Sequence, residues 1–368
     1  MNTSADSVPP LPHRIETIRA HQARGGRVAA VLPIHHPRAL FRAFDILPVE
    51  VWGPPQVDAT RGGAHLQPYV CSIVRNALAY LLSGGLDLAD LIVVPHTCDS
   101  LQGFASILID FIHPAPPVLP IYLPRGRRAS DVAFLAEEFK SLYRQLAEIT
   151  HRAPSDVELM ECLHREEEAD ARLADLYRRR AALPQKDFYR LVRSREYLPA
   201  EKFSEIVGAA LRAAPNGRSQ GAPLPTPILL SGIVPEPMAV FDALDRMNAA
   251  VVADDFACCG RRLYPPGKSD DPFTRMAERL LTAPPDSTRD DAIEDRLQHL
   301  IRLTKESNAK GIVFYDVKFC EPEFFYLPAL RKGLQAAGIP SVTIEIDLND
   351  SLSQQVSTRL EAFVEMIA

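Results

Sequence analysis

Short apolar runs that alternate with amphipathic stretches constrain this chain more than any other feature. In the first third the runs are Arg27 to Pro33, LPVEVWG (ended by Gly53-Pro54-Pro55), LIVVPHT and VLPIYLP. Near-continuous Val, Ile and Leu over a handful of residues marks strands covered on both faces, and such strands belong to parallel sheets flanked by helices. Helical patterns lie between them. HHPRALFRAF opens one with a Leu40, Phe41 and Phe44 stripe. Ser72 to Ser83 is ended by Gly84-Gly85, and Leu101 to Phe111 forms a third. A second alternation starts at PILLSGIV. It runs through Met238 to Met247, AAVVADD, Arg289 to Asn308, GIVFYDV, Glu323 to Ala337 and SVTIEID, and ends in TRLEAFVEMI. The expectation is an α/β chain of two tandem, doubly wound parallel-sheet domains of the Rossmann or flavodoxin type.

The stretches between suggest boundaries. Residues 1–26 read as a polar lead-in with a short helix around Ile15 to Ala23, and 27–129 as the first α/β domain. Residues 130–212 read as a helical insertion, and the Gly- and Pro-rich AAPNGRSQGAPLPTP marks a linker at 213–227. The second α/β domain then takes 228–368. Within the insertion, HREEEADARLADLYRRR reads as a solvated helix face of alternating charge.

Three cysteines stand where βα units turn over: Cys71, Cys98 and Cys320. Cys98 and Cys320 each follow a buried run, Leu91 to Val94 and Ile312 to Tyr315, and each precedes a helical pattern. The carboxyl ends of strands in open α/β sheets face the ligand crevice, so these thiols can meet at one point. Three soft thiolates in one cleft suit an iron–sulfur cluster or zinc; buried free cysteines are the alternative. Zinc is the weaker of the two metals, because no C-x-x-C pairs are present. Cys162 sits in a helical pattern and reads as packing.

Composition narrows the class. A net charge of -6 gives no general attraction to nucleic-acid phosphates. No apolar run approaches the roughly 20 residues of a membrane helix. MNTSADSVPPLPHR shows no basic region followed by an apolar stretch, so a cytoplasmic location is expected and the six cysteines are not read as a disulfide framework. No G-x-x-x-x-G-K-[ST] or G-x-G-x-x-G motif occurs, so ATP or dinucleotide binding by this chain is unsupported.

The segments SGGLDLADLIVVPHTCDSLQG and VFYDVKFCEPEFFYLPALRKGLQAAGIPSVTIEID, with TRLEAFVEM and LSGIVP followed by VVADDFACCGRR, carry a family likeness over nearly the whole chain. The chain resembles the 2-hydroxyacyl-CoA dehydratase and benzoyl-CoA reductase family, in particular its cluster-carrying subunits. The resemblance implies a 4Fe–4S cluster on Cys71, Cys98 and Cys320, with one iron open to water, substrate oxygen or a bridging ligand. It also implies a related subunit as partner (a heterodimer, or a homodimer) and a separate ATP-hydrolysing iron–sulfur activator that supplies one low-potential electron. The implied chemistry is a ketyl-type radical on a CoA thioester, in a dehydratase or a reductase.

Further residues are candidates around that centre. Cys258-Cys259 reads either as extra ligands, as in a double cluster, or as a thiol pair lining the cleft. His35 and His36 can move a proton and Arg38 can bind an anion, or the turn only starts a helix; where the family commonly has an acidic Pro-Glu-Glu-Leu-like segment this chain has HPRAL. Asp99 and Ser100 can contact substrate or cap the following helix. Lys318 can screen cluster charge or stand exposed. An electron-transfer protein with a double cluster and no acyl-CoA site is the alternative function.

Overall fold

The computed structural model describes residues 9–214 and 225–368. Most of the 213–227 linker reading and the first residues of the lead-in therefore lie outside the described residues. The first sheet comprises β1 (Arg27–Val31), β2 (Ile46–Glu50), β3 (Leu91–His96) and β4 (Val118–Tyr122), all parallel in the order β2-β1-β3-β4. The second comprises β5 (Thr226–Gly232), β6 (Ala249–Phe256), β7 (Gly311–Val317) and β8 (Ser341–Ile346), parallel in the order β6-β5-β7-β8. The two sheets thus repeat one topology. Every residue of β7 is buried, as a strand covered on both faces demands.

The helices of the first half are α1 (Arg14–Gln22), α2 (Arg38–Ala43), α3 (Ser72–Leu82) and α4 (Asp99–Ile107), the last running into a π turn at Leu108–Ile112. Four helices follow: α5 (Ala129–Thr150), α6 (Asp156–Arg178), α7 (Gln185–Ser194) and α8 (Ala200–Ala213). The second half carries α9 (Ala239–Arg246), α10 (Pro272–Leu281), α11 (Ile293–Ser307), α12 (Glu321–Ala336) and α13 (Gln354–Ile367). Among the described residues no helix is long and apolar enough to cross a membrane.

Two packing features were not visible in the sequence pattern. A single apolar core runs from Ile92 and Val94 of the first sheet through Phe188 and Phe203 of α7 and α8 to Val313 and Tyr315 of the second. On the far face of the first sheet, Met276, Ala277 and Leu280 of α10 pack with Leu135, Phe139 and Leu142 of α5. The charged block of α6 also departs from expectation. Glu166 and Asp170 are buried, because α6 is covered by α2, α8 and α10 and its inward carboxylates meet guanidinium groups there. Only the outward positions of that block are a solvated face.

Candidate metal centre

Each of the three cysteines occupies the N-cap of a helix: Cys71 of α3, Cys98 of α4 and Cys320 of α12. Cys98 and Cys320 follow the third strand of their respective sheets, so equivalent turns of the two halves present them. None of the three sulfurs forms a cap hydrogen bond, so the first backbone N–H groups of each helix stay uncapped beside them: Ile73 and Val74 near Cys71, Ser100 and Leu101 near Cys98, and Glu323 near Cys320. This is a setting that favours thiolate charge.

Burial works against that charge and dominates. It raises the Cys71 thiol, pushes Cys98 up to about 12 and holds Cys320 well above the ordinary thiol value. Neighbouring charge adds to this: Cys71 raises Cys98, and Cys71, Glu323 and Cys98 raise Cys320. Cys71 and Cys320 belong to one buried core, with Cys98 packed against it. Cys71 and Cys320 are buried, while Cys98 is half-buried. The α3 helix is tied across to the second half, which fixes Cys71 relative to Cys320. The Leu348 amide donates to Ser72 Oγ at 3.2 Å, Arg75 pairs with Asp347 at 2.8 Å, and the Asn76 amide donates to Asn349 at 3.0 Å.

Among the described residues no three His, Cys, Asp or Glu side chains are grouped closely enough to hold a single metal ion. A cluster takes one thiolate on each of several iron atoms, and three helix-start thiols in or against one core, with uncapped N–H groups beside them, have the donor chemistry for that group.

Cys258 and Cys259 are fully buried with Sγ atoms 3.3 Å apart, in the same apolar core as Cys71 and Cys320. Burial and then Cys258 hold the Cys259 thiol well above the ordinary value. Cys162 is buried on α6 in the core shared by α5 and α10. Asp99 is exposed in the first turn of α4 and Ser100 is half-buried beside it. Lys318 lies 3.9 Å from Asp350 at the carboxyl edge of the second sheet, on a cavity of about 310 Å³ shared with Asp347 and Arg359.

The turn after β1 is strained and points inward. Ile34 and His35 have φ of 35° and 60°, a region that a β-branched residue rarely enters. His35 Nε2 meets Asp286 Oδ2 at 3.2 Å. His36 is buried with neither ring nitrogen bonded, and burial, then Arg38, keep its imidazole well below the usual value and so neutral. It faces a cavity of about 40 Å³ walled by Arg38, Glu50, Arg262 and Tyr264. Arg38 pairs with Glu166 at 3.2 Å and Glu50 at 3.5 Å; burial brings it down to about 10, still charged at neutral pH. These side chains neither face solvent nor cap α2.

Arg261 and Glu323 were not found by sequence reasoning, though RR after a strand and the second Glu of CEPE were on view. Glu50, at the end of β2, also takes a two-point grip from Arg262 (2.6 and 2.9 Å) and accepts from Trp52 Nε1 at 3.0 Å. Trp52 lines a mostly apolar cavity of about 300 Å³ with Ile18, Val28, Val49, Val51 and Leu86. Gly53, at φ 67°, lies so close to α3 that a Cβ would come 2.5 Å from the Ile73 carbonyl. Only glycine lets this loop close against the helix that starts at Cys71.

A sequence family described as 2-hydroxyglutaryl-CoA dehydratase, D-component, matches residues 33–367. The chain is 28% identical over 369 residues to the (R)-phenyllactyl-CoA dehydratase beta subunit of Clostridium sporogenes, covering 95% of this chain and 94% of that one. It is 26% identical to the (R)-2-hydroxyglutaryl-CoA dehydratase beta subunit of Acidaminococcus fermentans, covering 94% of each. It is 23% identical to one of the subunits of benzoyl-CoA reductase from Thauera aromatica, over 93% of this chain and 91% of that one.

Proposed function

This chain belongs to the 2-hydroxyglutaryl-CoA dehydratase D-component family, and from that premise we propose that it is the iron–sulfur subunit of an acyl-CoA dehydratase or reductase that works by single-electron chemistry on a CoA thioester. The observation that carries the proposal is that Cys71, Cys98 and Cys320 each stand at a helix start, two in the first half and one in the second, in or against one core that runs through both halves. A 4Fe–4S cluster bound there would supply a single electron and an iron able to polarise a substrate oxygen.

The chain's own residues do the rest. The N–H groups of α3, α4 and α12 orient the sulfurs and stabilise their charge. The buried sites of Cys71 and Cys320 keep water from the centre, while half-buried Cys98 marks its open side. Exposed Tyr69, Phe319 and Phe325 lie beside Cys71 and Cys320 in the chain, and offer aromatic anchors to a related subunit and to an ATP-hydrolysing activator.

The test is anaerobic purification or reconstitution with iron and sulfide. Broad visible absorption, and an electron paramagnetic resonance signal after reduction, are expected from the wild-type chain and are lost in Cys98→Ser. A colourless wild-type chain that binds one zinc and no iron would contradict the proposal.

A further inference from the structure

Cys320 ends a turn closed by its own amide, which donates to the Val317 carbonyl at 3.0 Å, yet that bond alone does not account for the residue before it. Phe319, the residue before it, has φ 62° and is half exposed, so neither glycine-like freedom nor packing of its own ring explains the conformation. A non-glycine residue in the left-handed region persists where the surroundings over-determine it. The restraint available here is on the far side of Cys320. Glu323, in the first turn of α12, is buried and gripped by Arg261: Nη1 to Oε1 at 2.7 Å and Nη2 to Oε2 at 3.3 Å. Ser287 Oγ also donates to Oε1. Glu323 also carries one of the free backbone N–H groups at the start of α12, near the Cys320 thiol, which forms no cap hydrogen bond of its own.

Arg261 is in turn fixed from three sides. Nη1 bonds Asp286 Oδ1 at 3.0 Å, and Nη2 bonds Asp255 Oδ2 at 3.3 Å. Asp286 is met by His35 from the first half, and Asp255 pairs with Arg296 at 2.7 Å. A planar guanidinium with this many carboxylate partners, itself fully buried, has one available orientation.

We propose that Arg261 and Glu323 are positioning residues for Cys320: their two-point contact sets the start of α12, and with it the direction of the thiol and of the N–H near it. The chain from His35 through Asp286 and Arg261 couples that setting to the turn after β1, so the two halves of the molecule are registered at the metal centre. This rests on the cluster reading above. It assigns a role in the centre to two residues that touch no ligand position themselves.

Glu323→Asp and Arg261→Lys keep each charge while shortening or unforking the contact. Arg195→Lys is the control, because Arg195 is equally buried and pairs with Glu166 and Asp170, a network without a cysteine. The full-length chain would be reconstituted anaerobically with iron and sulfide, and chelator-driven iron release and the resonance spectrum of the reduced centre recorded. Both test variants are expected to release iron about tenfold faster or more than wild type, with altered g-values, which is the scale for groups that orient a ligand. The control is expected to match wild type even where its melting temperature falls as far. Iron release and spectra equal to the control would overturn the positioning role while leaving the cluster reading intact. A wild-type chain that takes up no iron would overturn both.

Discussion

The two halves of the molecule repeat one strand order and place a cysteine in the same turn, after β3 and after β7, yet the turns after their second strands differ. In the first half the long connection after β2 leads to Cys71, a proposed ligand. In the second, the short turn after β6 holds Cys258 and Cys259, fully buried free thiols with Sγ atoms 3.3 Å apart, followed after Gly260 by Arg261 and Arg262. Those two arginines lock onto Glu323 and Glu50, one in each half. On the proposed reading the repeated topology supplies three ligand positions rather than four, while the fourth turn carries a clamp between the halves. A repeated fold specifies where side chains can meet; local sequence decides which turns meet a ligand and which hold the halves together.

The sharpest way to break this comparison is to exchange the thiols one at a time. Cys98→Ser and Cys320→Ser are expected to lose most of the iron and all turnover. Cys258→Ala and Cys259→Ala are expected to keep the iron of the wild type, measured per chain after anaerobic reconstitution. Iron loss from Cys258→Ala as large as from Cys98→Ser would return the turn after β6 to the centre.

The clamp comes next in size. Arg262→Ala strips the buried Glu50 carboxylate of its two-point partner, and breaking such a pair costs about 3–5 kcal/mol in denaturant unfolding. Arg125 and Asp290 also bridge the halves, at 3.0 Å, but are largely exposed, and Arg125→Ala is expected to cost under about 1 kcal/mol. Equal losses would show that burial does not distinguish the two bridges.

The pH response sharpens the same point. Burial opposes the charge of Glu166, but Arg195 and Arg38 outweigh it and hold the carboxyl at about 2 against an ordinary 4.5. With the folded value depressed, its contribution is complete above about pH 4.5 and is lost as pH falls toward 2. Stability measured across that window is expected to fall less steeply in Glu166→Gln than in wild type. The smallest effect is expected from Cys162→Ser, which should lower the melting point slightly and leave iron content unchanged, since that thiol only packs in the core under α5 and α10.

Much of this could be read before any coordinates. The strands declared themselves through unbroken Val, Ile and Leu, and the cysteine turns through their place between strand and helix. What stayed hidden depends on contacts between distant residues. Glu50 and Arg262 are 212 positions apart, and nothing in either neighbourhood marks them as buried. Glu166 and Asp170 look like a solvated face because a charge pattern carries no record of which side another helix will cover. The α10 segment went unassigned between AAVVADD and the Arg289 to Asn308 helix, because its apolar face packs on α5, a partner far off in the sequence. The inward direction of His35 and His36 follows from two positive φ values that Ile and His do not advertise.

The most direct test of the three-thiol centre is a joint count of iron and acid-labile sulfide per chain, on wild-type protein purified without oxygen. If the three N-cap thiols hold the centre and Cys258 and Cys259 do not, it is one cubane, so about four of each are expected, unchanged in Cys258→Ala and falling toward zero in Cys320→Ser. About eight of each in wild type, halved by Cys258→Ala, would contradict the division between the two turns, and a single bound zinc with no sulfide would contradict the centre itself.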